Sequence, residues 1–434
     1  MNPGEKVSVL QPGQSRMKLA LLLASLAFSA VVFLAVDWVR SAAIQRSHQT
    51  RKPNSCPVRD PVRHHALKPN CASIEHWGGR SFDFFTNSLG LRDERVREVP
   101  LADARPRILI LGDSFTAAPL PWGESYAGRI AARLPQYDFL NGGVASYSPS
   151  NYLNTARMVL AQGVEIDEVI VFIDISDVQD EASYYRDVDA SGAVTAPDSQ
   201  IWIRPWQVKW RAGIAKHLIL TNYLYGFFER VLVDLGYYHL TWGDIGDTFD
   251  MERSAWTYRK VDETSPRATS FAPLGVEGGI AKEKAKMTLL WQELEKRNIP
   301  ISVVVYPWPA QLVHDTAESS QVRMWRDWCE GKCKRFISLF PAFFAVKDQC
   351  SRILPGCWYP KLFVFGDFHF NEGGNARVAD VVIKSLEEDP PGKSQQQVPG
   401  TGPRAGVECC RTSFAQAYPS TATLRMGFDG SPLR

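Results

Sequence analysis

The segment Arg107-Ile108-Leu109-Ile110-Leu111-Gly112 sets the strongest limit on what this chain can fold into. Aliphatic residues in unbroken succession, without the polar alternation of a half-exposed strand, require cover on both faces. A parallel strand with helices above and below it provides that cover. The downstream residues meet the requirement. Tyr126, Ile130 and Leu134 fall on one face of a helix, and Tyr137–Leu140 is a second short strand. Ser150 is placed to cap a helix whose inner face is Leu153, Ala156 and Leu160. Glu168–Ile173 is a third strand, Ala281–Arg297 a helix, and Ile301–Tyr306 another strand; Val378, Val382, Ile383 and Leu386 mark a last helix. Strands alternating with helices specify an α/β fold, a parallel sheet with helices on both faces. Nothing repeats at a fixed period, so nothing points to a solenoid or propeller.

The flanks obey other rules. Leu19–Val36 is an uncharged, almost wholly apolar run of eighteen residues. At helical rise it is about 27 Å long, close to the hydrocarbon thickness of a bilayer. A signal peptide is the alternative, but its apolar stretch is usually only about 7–15 residues, and Ser41-Ala42-Ala43 is a poor cleavage site. The expected organisation is a polar tail over 1–18, a transmembrane anchor over 19–39 and a polar lead-in over 40–104 that wraps the domain or tethers it. A folded body over 105–388 and a disordered Pro-, Gly-, Ser- and Gln-rich tail over 389–434 complete the chain. Within the body, about 186–275 breaks the alternation with Trp202, Trp206, Trp210, Trp242 and Trp256. It reads as a helical cap, with a surface for lipid headgroups or glycan as the alternative. Basic residues lie on both sides of the apolar run and leave its orientation undecided.

Six of the eight cysteines lie between residues 56 and 357 in close-spaced sets. Such sets suit local disulfides in an oxidising compartment, and Cys56–Cys71, Cys329–Cys333 and Cys350–Cys357 is one of several possible pairings. Zinc at Cys329 and Cys333 is an alternative, but no histidine sits nearby and the spacing is not a zinc-knuckle pattern. Disulfides and an anchor together imply a single-pass membrane protein whose body is extracytoplasmic, in the periplasm or at the cell surface. A formal net charge of +2 gives no footprint for a nucleic-acid partner. No motif calls for a cofactor or a metal.

Three segments carry chemistry. Gly112-Asp113-Ser114-Phe115-Thr116 sits where a buried strand gives way to a helix, at the end of the sheet where ligands bind. A serine there meets free backbone N–H groups that favour a developing oxyanion, although an isolated tripeptide of this kind is also an ordinary helix cap. Asp367-Phe368-His369 precedes the last helix, and in an extended segment residues two apart share a face. A serine nucleophile needs such a base, and the base needs a partner that fixes its tautomer. Asn141-Gly142-Gly143-Val144 succeeds the second strand, where a glycine N–H can approach a ligand.

In this order the segments resemble the SGNH (GDSL) hydrolases. Residues 112–116 look like that family's first block, 141–144 like its second and Asp367 with His369 like its last. Asp174-Ile175-Ser176-Asp177 stands where the third block belongs, with Ser176 in place of the usual Asn. Asn87-Ser88-Leu89-Gly90-Leu91-Arg92 looks like the lead-in of membrane-anchored bacterial members. The resemblance implies a flavodoxin-like three-layer α/β/α sandwich and ester chemistry by a Ser114–His369–Asp367 triad, with Ser114, Gly143 and Ser176 around the oxyanion. The Asp-to-His spacing of two, rather than three, resembles relatives that acetylate polysaccharides. The expected activity is an esterase acting on an acylated small molecule or a cell-envelope glycan. The alternatives are an O-acyltransferase on a polysaccharide and a glycan-binding module of the same fold without catalysis.

Overall fold

In the computed structural model the aliphatic run Arg107–Leu111 lies inside an eight-stranded sheet, all five of its residues buried. The structure describes residues 12–48, 56–77, 80–188, 192–196, 217–237, 252–259, 271–365 and 367–393. Trp202, Trp206, Trp210, Trp242, Cys409, Cys410 and the expected tail beyond 393 lie outside them. The chain divides into two units, Pro53–Asp198 with Leu235–Arg434, and Met1–Lys52 with Ser199–Asp234.

The larger unit opens with a small antiparallel pair, β1 (Pro57–Asp60) and β2 (His64–Leu67). The main sheet contains β3 (Ala72–Trp77), β4 (Arg80–Thr86), β5 (Arg92–Asp93), β6 (Arg107–Leu111), β7 (Asp138–Asn141) and β8 (Glu168–Ile173). After a second small pair, β9 (Arg186–Asp187) and β10 (Val194–Thr195), the chain returns to the main sheet as β11 (Ile301–Val305) and β12 (Cys333–Ser338). The order across the sheet is β12-β11-β8-β6-β7-β5-β4-β3. The five strands from β12 to β7 are parallel, and β5, β4 and β3 extend that edge antiparallel.

Period-two alternation gives each strand two buried faces. Leu109, Leu111, Val169, Val171, Val303 and Val305 face one way and pack with Leu153, Ala156, Met287, Leu290 and Trp325 from helices on that side. On the other side Tyr126 stacks on Phe172 at 4.5 Å. Its backbone N–H donates to Asn375, which ties helix Tyr126–Arg133 to helix Glu372–Glu388. The result is the three-layer α/β/α arrangement. From β6 the chain crosses to β7 on one side and then to β8 on the other, so the carboxyl end of β6 is the switch point of the sheet, where ligands bind in open α/β folds.

Several expectations need correction. Part of the stretch read as a polar lead-in, 72–93, is built into the sheet, because Phe82, Phe84 and Thr86 turn inward while their neighbours stay exposed or half-buried. Ser148, not Ser150, is the N-cap of helix Pro149–Ala161, and Ser150 instead donates its N–H and hydroxyl to Glu181. Leu160 is only partly buried, and Val159 takes the core position. Cys329 and Cys333 are joined to each other, which leaves no thiolates for zinc; Cys56–Cys71 and Cys350–Cys357 are also bonded.

The smaller unit holds two described helices. Pro12–His48 runs for 37 residues and extends past both ends of the apolar run. Its window Met17–Ala43 is long and apolar enough to cross a membrane, with a mean hydropathy of 2.7. The second is Ile219–Asp234.

Candidate active site

β6 delivers Gly112, Asp113 and Ser114 to the switch point. Gly112 is required by close approach, since a Cβ there would lie 1.9 Å from the Thr116 hydroxyl oxygen. The Asp113 carboxylate caps the next turn by accepting the Phe115 N–H at 2.9 Å. The helix that Ser114 opens has only four residues, Ser114–Ala117. It stops where Ala118 takes a φ of +49°. Arg92 of β5, fully buried between the Phe84 and Trp122 rings, donates to the Ala118 and Leu120 carbonyls and pins that exit. Burial lowers its pKa to about 9. Gly143 packs against the same turn, where a Cβ would come within 2.5 Å of Thr116 Cβ.

The histidine arrives on the loop before helix Glu372–Glu388. Tyr359 pins this loop: its hydroxyl lies within reach of the Val364 and Asp367 carbonyls, donates to one of them at a time and accepts the Asp367 N–H. His369 Nε2 lies 2.8 Å from Ser114 Oγ, and Nδ1 lies 2.6 Å from Asp367 Oδ1. The same carboxylate oxygen accepts the His369 N–H at 3.0 Å. Asp367 and His369 therefore meet through a tight turn, not through the shared face of an extended segment. The other carboxylate oxygen accepts the Trp77 indole N–H at 2.9 Å, and the Trp77 ring stands edge-on to the imidazole at 5.1 Å. Burial opposes ionisation of Asp367. The adjacent His369 and the hydrogen bonds from His369 and Trp77 outweigh it and hold the pKa below the usual carboxylate value. Phe115 and Phe368 flank the imidazole at 4.8 and 4.4 Å.

Beneath the serine lies a buried acidic layer. Tyr306 hydroxyl is 3.2 Å from Asp113 Oδ1 and 3.0 Å from Asp174 Oδ2, and it can donate to only one of them at a time. Trp308 Nε1 also donates to Asp174 Oδ2, at 2.9 Å. Burial, reinforced by the Asp174 charge, pushes the Asp113 pKa well above the usual value.

The three expected oxyanion groups are differently placed. The Ser114 N–H opens a helix and has no intrahelical acceptor. The Gly143 N–H donates to Asn141 Oδ1 at 2.9 Å, while the Asn141 amide N–H donates to the Thr116 carbonyl. Ser176 is buried beyond β8 with its N–H on Asp174 Oδ1 at 2.6 Å. Among the described residues no hydrogen bond joins Ser176 to Ser114 or His369. Sequence reasoning missed Trp77, Tyr306 and the place of Arg92. Among the described residues no group of His, Cys, Asp and Glu is arranged to hold a metal ion.

No family model matches this sequence, and no curated relative does. Solved structures are similar to it at low identity. A lipolytic protein of the G-D-S-L family from Veillonella parvula is 11% identical over 65% of this chain and 98% of that one, with a TM-score of 0.33. A catalytic mutant of an acetylxylan esterase from Geobacillus stearothermophilus is 13% identical over 66% and 96%, with a TM-score of 0.34. A psychrotrophic esterase from Pseudoalteromonas sp., inhibited by monoethylphosphonate, is 11% identical over 65% and 97%, with a TM-score of 0.32.

Proposed function

We propose that this chain is a serine esterase of the SGNH type. The observation that supports it is the unbroken relay from Ser114 Oγ through His369, at 2.8 Å, to Asp367, at 2.6 Å. In this reading His369 Nε2 takes the Ser114 proton as Oγ attacks the ester carbonyl. Asp367 fixes the tautomer that leaves Nε2 free and stabilises the imidazolium. The tetrahedral intermediate collapses, the alcohol leaves with the proton from His369, and water repeats the sequence on the acyl-serine.

The oxyanion is the demanding part, because one lost donor typically costs about 2.7–4 kcal/mol. The Ser114 N–H is available. Gly143 has to release Asn141 Oδ1 to contribute its own. The substrate class we infer is an acylated glycan of the cell envelope. An apolar N-terminal helix fits a membrane-attached enzyme, and the Asp-x-His spacing resembles polysaccharide-modifying relatives. The same relay serves an O-acyltransferase if a sugar hydroxyl replaces water. It argues against a binding module that has lost catalysis.

Incubating the chain with a generic acetyl ester, with and without a sugar acceptor, separates these readings. Acetate release independent of the acceptor is expected for the esterase. Acceptor-dependent transfer identifies a transferase, and no turnover overturns both.

A further inference from the structure

The helix Ile219–Asp234 turns its apolar side outward. Leu220, Tyr223, Leu224, Phe227, Phe228 and Val231 recur at helical spacing and line a single face. That face is the exposed one: Tyr223, Phe227 and Phe228 are 72%, 62% and 63% exposed. A helix of a soluble globular body buries such a stripe, and a contiguous exposed one marks an interaction surface.

The occupant is indicated by what holds the helix. Asp37 and Ser41 belong to helix Pro12–His48, just beyond its apolar run. Asp37 Oδ1 accepts the Leu220 N–H at 2.8 Å, and Oδ2 accepts the Thr221 N–H and hydroxyl, each at 2.7 Å. Ser41 Oγ accepts the Ile219 N–H at 2.9 Å and itself donates to Asp37. The first turn of the second helix is thus satisfied by protein side chains instead of water, which a helix entering an apolar medium needs. The clasp sets the start of the stripe beside Asp37, next in sequence to the exposed Trp38 and Val39 of the candidate span.

We propose that Ile219–Asp234 is a second membrane element. It lies in the bilayer interface with Leu220, Tyr223, Leu224, Phe227, Phe228 and Val231 among the acyl chains, and the Asp37–Ser41 clasp fixes it to the end of the span. At 16 residues it is about 24 Å long, and Arg230 within it argues for lying in the interface over crossing. The proposal is independent of the chemistry at Ser114.

The test uses the full chain in phosphatidylethanolamine–phosphatidylglycerol vesicles. A photo-crosslinking phenylalanine analogue replaces Tyr223, Phe227 or Val231 singly, with Leu26 in the span and Asn222 off the stripe as controls. The three stripe positions are expected to form lipid adducts as Leu26 does, at least about fivefold more than Asn222. Adducts to a second copy or to another protein, or no lipid adduct while Leu26 gives one, overturn the proposal. A silent Leu26 overturns it too, because the span to which the clasp fixes the second helix is then not in the bilayer.

Discussion

Trp77 meets Asp367 across 290 residues of sequence, and this one contact shapes the proposed relay. Its N–H stabilises the carboxylate form of Asp367 and leaves the other oxygen for His369. A hydrogen bond to a charged group is worth about 1.5–3 kcal/mol, so Trp77→Phe, which keeps a ring but loses the donor, is expected to lower kcat by about 10-fold or more. KM should change little, because Trp77 contacts the relay and not the bond being broken. Steady-state kinetics on an acetyl ester check this, and an unchanged kcat removes Trp77 from the relay. At this scale legibility tracks contiguity. Ser114, Asp367 and His369 stand in short segments whose residue types carry meaning by themselves. Trp77 and Arg92 come from β3 and β5, and nothing local in the sequence points either toward the switch point. The raised pKa of Asp113 is equally hidden, since it arises from burial and the Asp174 charge, against the hydrogen bonds from Phe115, Tyr306 and Ser114.

At the scale of elements, β2 carries a pH dependence. His65 Nε2 bonds the Ala145 carbonyl at 2.8 Å, and Tyr147 hydroxyl donates to the His65 carbonyl at 2.6 Å. Burial lowers the His65 pKa from 6.5 to about 4, with help from the His64 and Arg63 charges and against the Ala145 bond and Asp60. The unfolded chain takes up this proton near 6.5 and the folded chain only near 4. The contribution to stability is therefore complete above the higher value and lost as pH falls through the window to the lower one. Denaturant unfolding of the detergent-solubilised chain should show this slope, and His65→Gln, which keeps a donor for Ala145 but cannot titrate, should flatten it by about one proton. An unchanged slope contradicts the assignment. The parallel strands β6, β8 and β11 are legible because burial on both faces leaves an uninterrupted aliphatic run. β3, β4 and β12 are not, because the two edge strands β3 and β12, and β4 beside the first, carry Glu75, Arg80, Asp83, Lys334 and the buried Arg335 among their apolar residues. The alternation of Phe82, Phe84 and Thr86 is the available signal for β4.

At the scale of the whole molecule, the three disulfides and the apolar helix support a body outside the cytoplasm. A reporter active only outside the cytoplasm, fused after Glu388, should be active. Thiol labelling of the unreduced, denatured chain should leave Cys56, Cys71, Cys329, Cys333, Cys350 and Cys357 unmodified. An active cytoplasmic reporter with six labelled thiols contradicts this topology. The central claim is that one serine carries the acyl group, and intact-mass measurement of the full chain after exposure to an active-site phosphonate tests it most directly. A single adduct is expected, mapped to Ser114 and absent from Ser114→Ala, whose ester turnover should fall by at least about a thousandfold. An adduct elsewhere, or turnover by Ser114→Ala at the rate of the unaltered chain, would contradict it.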